Sequence, residues 1–140
     1  MNGTILVVED RLNCRTTFRE LFEFEGLRVI EATCAAEFKD KAVDADVILL
    51  DIAMPIHRVG PEDNTAGLDA LLELRKAHPK HLAIHKPIIR SMWNRELFGS
   101  RYQVLIDSIP EMRWRSRDTP LVELLALVKT TLTDIKGSTV

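Results

Sequence analysis

An aspartate stands at the end of the most apolar stretch of the chain. Residues 45–55 read ADVILLDIAMP, in which the apolar residues 47–50 directly precede Asp51. An unbroken apolar run is typical of a strand that is covered on both faces within a parallel sheet. Open α/β sheets bind their ligands outside the carboxyl ends of such strands. This position suggests a functional carboxylate, although for Asp51 taken alone the commoner role would be to cap the turn after the strand.

Two more acids follow a second short apolar run. Residues 4–8 read TILVV, and Glu9 and Asp10 come directly after them. If both runs are neighbouring parallel strands, all three carboxylates meet at one edge of the sheet. Carboxylates in one pocket raise each other's pKa unless a cation neutralises them. A hard divalent cation such as Mg²⁺, which binds carboxylates, waters and phosphate oxygens, is the natural ligand for this set.

The two motifs, ILVVED at residues 5–10 and DIAMP at residues 51–55, resemble those of the receiver domain of bacterial two-component response regulators. The resemblance implies an α/β fold, a three-layer doubly wound five-stranded parallel sheet of the flavodoxin-like type with strand order 2-1-3-4-5. It also implies that Asp51 accepts a phosphoryl group from a histidine kinase or phosphotransfer protein. Mg²⁺ would be bound by Asp10, Asp51 and the backbone carbonyl of Ala53, with Glu9 assisting through a water.

The resemblance further implies a set of residues that bind the phosphoryl group and respond to it. Ser91, near the end of a predicted strand, would donate its hydroxyl to a phosphoryl oxygen, although the family's hydroxyl more often lies at the register of Met92. Trp114 and Arg117 have the spacing of the family's aromatic switch residue and its phosphoryl-binding lysine. Arginine keeps the charge of lysine but is longer and planar, so the two are not equivalent.

The sequence departs from the family pattern at several of these positions. Arg115 is a second candidate for the missing lysine, and Asp118 stands where a proline usually follows. Met92 and Trp93 are large where the family is commonly small. They are expected either to restrict access to Asp51 or simply to fill space between the sheet and a helix.

Residues 56–66, IHRVGPEDNTA, form a polar segment rich in turn residues, directly after the DIAMP motif. Compared with the usual receiver they contain an insertion of roughly eight residues, which a loop tolerates at low entropic cost. The insertion is expected to select a partner or to cover a phosphorylated Asp51. A passive surface loop is an equally good interpretation.

Hydrophobic periodicity predicts alternating strands and helices. Strands are expected at residues 4–8, 27–30, 47–50, 88–92 and 111–117, and helices at residues 12–24, 33–43, 67–77, 94–106 and from residue 119 onward. The alternating pattern of residues 111–117, EMRWRSR, places Arg113, Arg115 and Arg117 on one face, as expected for an edge strand. In the family, the face formed by the fourth helix, fifth strand and last helix contacts partner proteins. A homodimer through this face is therefore an additional expectation.

Length and composition predict one domain, residues 1–140, because 140 residues with 46% hydrophobic content can bury one core but not two. Such a chain would have no output domain of its own and would signal by contacting a downstream protein. The net charge of −2 argues against nucleic acid as the main partner. Two cysteines and the lack of a long apolar run favour a protein of the reducing cytoplasm that does not contact a membrane.

Two alternatives stay open on these observations. The chain could be a pseudo-receiver, an interaction module that binds partners independently of phosphorylation, as Arg117 and the bulky residues near Asp51 would allow. A small Mg²⁺-dependent phosphatase is less favoured, since the DIAMP loop offers no second acid to protonate a leaving group. The leading prediction is a signalling domain that is not an enzyme and at most catalyses its own phosphorylation and dephosphorylation.

Overall fold

The computed structural model describes residues 2–138. Its main sheet has five parallel strands in the order β2-β1-β3-β6-β7. These strands are β1 (Thr4–Val8), β2 (Arg28–Ala32), β3 (Val47–Asp51), β6 (Pro87–Ser91) and β7 (Trp114–Ser116). With β4 (Met54–Pro55) and β5 (Glu62–Asp63), which form a separate two-stranded sheet, left aside, this is the predicted order 2-1-3-4-5. The doubly wound α/β fold is confirmed.

Helices cover both faces of the sheet and produce two hydrophobic cores. Alternate residues of β1 belong to different cores: Ile5 and Val7 pack with helices α1 (Leu12–Phe24) and α6 (Leu121–Ser138). Leu6 and Val8 pack with the opposite layer, which contains the helices α2 (Ala35–Lys41), α3 (Ala66–Ala77), α4 (Leu82–His85) and α5 (Gln103–Asp107). Because side chains of a strand alternate between faces, a continuous apolar run is what a central strand of three layers requires.

The insertion folds back onto the end of the DIAMP motif and forms a short hairpin with it rather than an irregular loop. Strand β4 (Met54–Pro55) pairs antiparallel with β5 (Glu62–Asp63), so that Met54 lies opposite Asp63. The backbone N–H of Ala36 donates to the carbonyl of Ile56 at 3.0 Å and thereby joins the hairpin to the start of α2. At the tip of the hairpin, Val59 is exposed. The hairpin rises from the same edge of the sheet as Asp51.

The predicted helix at residues 94–106 is wrong for most of its length. Two 3₁₀ turns, Arg95–Leu97 and Ser100–Tyr102, precede α5, and Phe98 and Gly99 between them are extended. Gly99 has low helix propensity, which favours a break at this point. Leu97 and Val104, two apolar residues of this predicted helix, are exposed. A short helix, α4, lies before β6, between the predicted elements at residues 67–77 and 88–92, where no helix was predicted.

The edge strand is shorter than predicted. Residues Glu111–Arg113 form a 3₁₀ turn, and only β7 continues as a strand. Arg113 is buried, and its Nη2 lies 3.2 Å from Asp134 Oδ2. In the described part of the chain, no helix is both long enough and apolar enough to span a bilayer.

Candidate functional site

The three predicted acids converge at the carboxyl edge of the sheet. Strand β1 lies beside β3, with Val8 opposite Leu50, and each strand leads directly into its acid. Glu9, Asp10 and Asp51 each present an oxygen within 4.8 Å of the others. Glu9 and Asp51 are each only 1% exposed, whereas Asp10 is partly buried. The topology therefore brings together carboxylates that lie about forty residues apart in sequence, because neighbouring parallel strands end at the same edge.

Glu9 is held by two arginines that the sequence analysis did not identify. Arg11 donates to Glu9 Oε1 from its backbone N–H at 3.1 Å and from Nε at 3.2 Å. Arg90, on β6, donates from Nη1 to the other oxygen of Glu9 at 3.1 Å. Arg15 adds bonds from Nη1 to the backbone carbonyls of Glu9 and Asp10, at 3.1 and 2.9 Å. Charge-assisted bonds of this kind fix the orientation of a buried carboxylate.

Asp51 is paired with Arg117, the residue that replaces the family's lysine. Arg117 Nη2 lies 3.2 Å from Asp51 Oδ1 and 3.0 Å from Oδ2. Arg117 is thus the arginine that the structure places on Asp51, rather than the alternative candidate Arg115. Glu62 of the hairpin lies 3.9 Å from the same guanidinium nitrogen. The insertion therefore contributes a fourth acid near the site.

The proton affinities of the acids differ strongly because they share one buried environment. Burial, and then repulsion by and hydrogen bonding with Glu9, raise the pKa of Asp51 to about 7, although Arg117 opposes the shift. Burial also acts on Glu9, but hydrogen bonds from Asp51 and Arg11 outweigh it and lower the pKa of Glu9. Burial and Glu9 together raise the pKa of Asp10. Two adjacent carboxyl groups that share a proton titrate as a pair, so these directions belong to the cluster.

A cavity of about 230 Å³ opens beside Asp51. Its lining comes from the ends of β3 and β6, the hairpin and the residue after β7: Asp51, Ile52, Ala53, Glu62, Asn64, Ser91, Met92, Trp93 and Arg117. Met92 and Trp93 are 66% and 49% exposed, so they border the mouth of the cavity rather than fill the space between sheet and helix. A small anionic group can therefore enter the cavity and reach Asp51, which forms its floor.

Ser91 and Trp114 are connected through the backbone of Trp93. The hydroxyl oxygen of Ser91 accepts a hydrogen bond from the backbone N–H of Trp93 at 2.9 Å. Trp114 Nε1 donates to the carbonyl of Trp93 at 3.1 Å. Trp114 also packs edge-to-face on Phe98, with 5.6 Å between ring centres. A change at the cavity thus has a short path to the edge of the sheet.

The acids fit a hard divalent cation. Asp10 Oδ1 is buried and accepts no hydrogen bond from the described residues, although a buried carboxylate oxygen without a partner is costly. Mg²⁺ takes oxygen ligands and usually binds through one or two carboxylates. Asp10 and Asp51 can supply them, and Ala53 lies on the cavity wall, where its carbonyl was expected to act.

The fold has close counterparts among solved structures. A CheY-like receiver domain protein from Methanospirillum hungatei superposes with a TM-score of 0.72 at 19% identity, over 99% of both chains. TrrA from Thermotoga maritima, solved in complex with Mg²⁺ and BeF, gives 0.64 at 27% identity over 91% of this chain and 97% of its own. The BeF3-activated N-terminal receiver domain of Klebsiella pneumoniae RstA gives 0.64 at 18% identity, over 92% of this chain and 97% of its own.

Sequence similarity to curated proteins is more local. A 53-residue segment is 42% identical to the aerobic respiration control protein ArcA of Escherichia coli K12, covering 36% of this chain and 22% of ArcA. The chain therefore matches about a fifth of the length of that relative. No family model matches the chain. The five-stranded sheet and the solved neighbours show that the chain has the fold of CheY-like response regulator receiver domains, and the ArcA segment adds a local sequence similarity to a response regulator.

The residues that sequence reasoning missed are mostly arginines. Arg90 interrupts the apolar segment PIIRS of β6 and is buried, and such a charge in a central strand requires a partner. This interruption was the available signal, but its partner, Glu9, is 81 residues away. Arg11 and Arg15 lie in a helical start that resembles an ordinary solvated helix. Their contacts depend on how α1 approaches the sheet.

Proposed function

We propose that this chain is a phosphoryl-accepting receiver of a two-component system, with Asp51 as the acceptor. The observation that carries the proposal is the position of Asp51: it is buried at the end of β3, between Glu9 and Arg117, on the floor of an open cavity. A carboxylate forms an acyl phosphate when nearby cations neutralise the phosphoryl oxygens. The donor would be a histidine kinase or a phosphotransfer protein.

In the proposed reaction, an oxygen of deprotonated Asp51 forms the new bond to phosphorus. The bond from phosphorus to the donor nitrogen breaks, and the leaving imidazole takes up a proton. Arg117, already within hydrogen-bond distance of Asp51, would turn toward the phosphoryl oxygens, and the Ser91 hydroxyl would donate to one of them. Asp10, Asp51, the Ala53 carbonyl and, through a water, Glu9 would hold Mg²⁺, which supplies neutralisation of the phosphoryl oxygens when bound. The chain would be a signalling domain rather than an enzyme acting on other substrates.

The proposed output is a change in protein contacts. Phosphorylation adds about −1.5 to −2 charges and new acceptor oxygens next to Arg117 and Ser91. Rearrangement at Ser91 would pass through Trp93 to Trp114 at the sheet edge. A downstream protein, or a second copy of this chain, would contact the face formed by α5, β7 and α6. Neither nucleic acid nor a membrane is needed for this function, which suits a cytoplasmic protein.

A phosphorylation-independent interaction module is the second candidate. The guanidinium groups of Arg11 and Arg90 pair with Glu9, and that of Arg117 pairs with Asp51, so three positive charges already lie beside the three acids. A site that is neutralised by its own side chains can be stable without metal or phosphate. On this alternative, the surface around the cavity would bind its partner in a single state.

Acetyl phosphate labelling separates the two candidates. With Mg²⁺ present, intact-protein mass spectrometry is expected to detect one phosphoryl group on the wild type. Asp51→Asn should abolish the signal, while Asp40→Asn, which changes an exposed aspartate of α2, should retain it. Absence of labelling in folded wild-type protein, over a range of Mg²⁺ concentrations, would favour the phosphorylation-independent module.

A further inference from the structure

Arg90 is a buried cation at the centre of the acidic site. It lies on β6 opposite Asp51 in the β3–β6 register and is 6% exposed. Its Nη1 binds Glu9 at 3.1 Å, and its Nη2 donates to the backbone carbonyl of Arg117 at 3.3 Å. The guanidinium carbon lies 4.8 Å from the ring centre of Phe18. Arg90 therefore contacts both Glu9, which follows β1, and the backbone of Arg117, the residue that pairs with Asp51.

The Arg90 side chain is less able than that of Arg11 to move away from Glu9. The Arg11 side chain is 51% exposed and can turn into solvent when a metal ion approaches Glu9. The Arg90 side chain is 7% exposed and lies between Glu9, the Arg117 backbone and Phe18. Moving it would leave Glu9 without a buried partner, which is strongly unfavourable. Its positive charge is thus a fixed part of the site.

A purely structural role explains this arrangement poorly. Arg90 Nε is buried and has no hydrogen-bond partner among the described residues, which carries a desolvation cost. An apolar side chain would pack on Phe18 without that cost. Unlike an apolar residue, the guanidinium group neutralises the negative charge of Glu9 beside Asp51.

We propose that Arg90 is a built-in counter-cation that sets the Mg²⁺ affinity of the acidic site. By neutralising Glu9 it holds the acids together without metal. A divalent ion at Asp10 and Asp51 then experiences a permanent repulsion that weakens its binding. Arg90 is in this sense a positioning residue for Glu9 and Arg117 and a determinant of metal affinity. The inference rests on the proposed function, because it concerns the ion that would support phosphoryl transfer.

Isothermal titration with Mg²⁺ at pH 8 and fixed low ionic strength tests this role, since high pH limits competition by protons. Removing one nearby unit charge with Arg90→Met is expected to tighten Mg²⁺ binding by about tenfold or more, as Coulomb repulsion at a few ångströms predicts. Arg90→Lys keeps the charge, and its affinity should stay within about threefold of the wild type. Arg113→Met is the matched control, because Arg113 is equally buried and ion-paired but binds Asp134 outside the site. Its Mg²⁺ affinity should equal that of the wild type.

Unchanged or weaker Mg²⁺ binding in folded Arg90→Met would overturn the proposal. If Arg90→Met does not fold, Glu9→Gln Arg90→Met, which leaves no buried acid unpaired, is compared with Glu9→Gln alone. The double variant should bind Mg²⁺ more tightly, and equal affinities would overturn the proposal. Acetyl phosphate labelling separates the two levels of inference. Labelled wild type with no effect of Arg90 contradicts only the role of Arg90, whereas an unlabelled wild type that binds no Mg²⁺ contradicts the proposed function.

Discussion

The carboxyl group of Asp51 is poised between its two protonation states near neutral pH. Its pKa lies at about 7, mainly because burial disfavours the charged form and Glu9 repels it. The ordinary pKa of an aspartate is 3.8, which is the appropriate reference for the unfolded chain. Between pH 3.8 and about pH 7, the metal-free protein therefore takes up a proton at Asp51 when it folds. Above pH 7 the native state must instead hold a second buried carboxylate charge.

This linkage predicts that Asp51→Asn stabilises the metal-free protein in a pH-dependent way. A raised native pKa contributes stability that is complete below the unfolded pKa and is lost as the pH rises through the native pKa. The variant, whose amide resembles the neutral acid, should equal the wild type only below about pH 4, already exceed it near pH 5, and exceed it by a few kcal/mol at and above pH 7, where the gap levels off. Urea unfolding in EDTA at several pH values between 5 and 8 measures the difference.

Asp40→Asn, on exposed α2, is the control for this stability series and should show no such pH-dependent gap. The amide introduced by Asp51→Asn can donate to Glu9 as the protonated acid does, so the contribution of Glu9, whose pKa is lowered, should be similar in both proteins. A constant difference between Asp51→Asn and the wild type across the pH range would mean that Asp51 is not protonated on folding.

The acids and the counterion of Asp51 could be predicted from sequence, whereas the counterions of Glu9 could not. Glu9, Asp10 and Asp51 follow apolar runs, so their common edge could be inferred from the parallel order of two strands alone. Arg117 was predicted from its spacing to Trp114, and the structure places it on Asp51. Arg90 and Glu9 are 81 residues apart, on strands that are separated by β3 in the sheet. Their pairing depends on the direction in which the Arg90 side chain points. Pairing of that kind leaves no periodic signal.

At the scale of elements, the junction between β3 and α3 determines where Asp51 lies. The backbone N–H of Gly67 donates to the carbonyl of Ile52 at 2.9 Å. A Cβ atom at Gly67 would lie 2.9 Å from Ile52 Cα and 3.1 Å from the Asp51 carbonyl oxygen. Helix α3 can therefore approach the end of β3 only because residue 67 has no side chain.

Gly67→Ala is expected to destabilise the protein and weaken the acidic site. Alanine improves helix propensity by about 0.5–1 kcal/mol, but a clash with backbone atoms typically costs about 1–3 kcal/mol, so the net change is unfavourable. Because the clash involves the backbone of Asp51 and Ile52, Mg²⁺ affinity should fall together with the urea midpoint.

Gly99→Ala is the matched comparison for Gly67→Ala. Apart from its chain neighbours, no described residue has an atom within 4 Å of the position that a Cβ would take at Gly99. Its substitution should therefore leave both the urea midpoint and Mg²⁺ binding nearly unchanged. Equal behaviour of the two alanine variants would show that the close approach of α3 does not position Asp51.

Element prediction succeeded where apolar residues faced the core and failed where the chain runs along the surface. The central strands and α1 follow strong apolar patterns and lie where expected. Residues 94–106 contain apolar side chains at helical spacing, yet an extended Phe98–Gly99 pair breaks the helix and exposes Leu97 and Val104. The hairpin β4–β5 also lacked a periodic signal, since each of its strands has only two residues.

At the scale of the whole molecule, the site combines acids held by the central sheet with cavity walls that come from surface segments. The acids are fixed by central strands, which are buried on both faces. The cavity walls come from the hairpin and from the segments after β6 and β7, where Met92 and Trp93 are exposed. A rigid acidic floor with less supported walls allows an anion at Asp51 to shift the walls while the sheet stays in place.

Beryllofluoride, which mimics a bound phosphoryl group, is therefore expected to change tryptophan fluorescence in the presence of Mg²⁺. The chain has two tryptophans, so Trp93→Phe and Trp114→Phe each leave one reporter. Trp93 borders the cavity and should respond directly. Trp114 should also respond, because its indole donates to the backbone carbonyl of residue 93, a bond that survives Trp93→Phe. A response of Trp93 with none from Trp114 would mean that the cavity is not coupled to the sheet edge. If Asp51→Asn gave the same response as the wild type, beryllofluoride would be acting elsewhere than at the proposed acceptor.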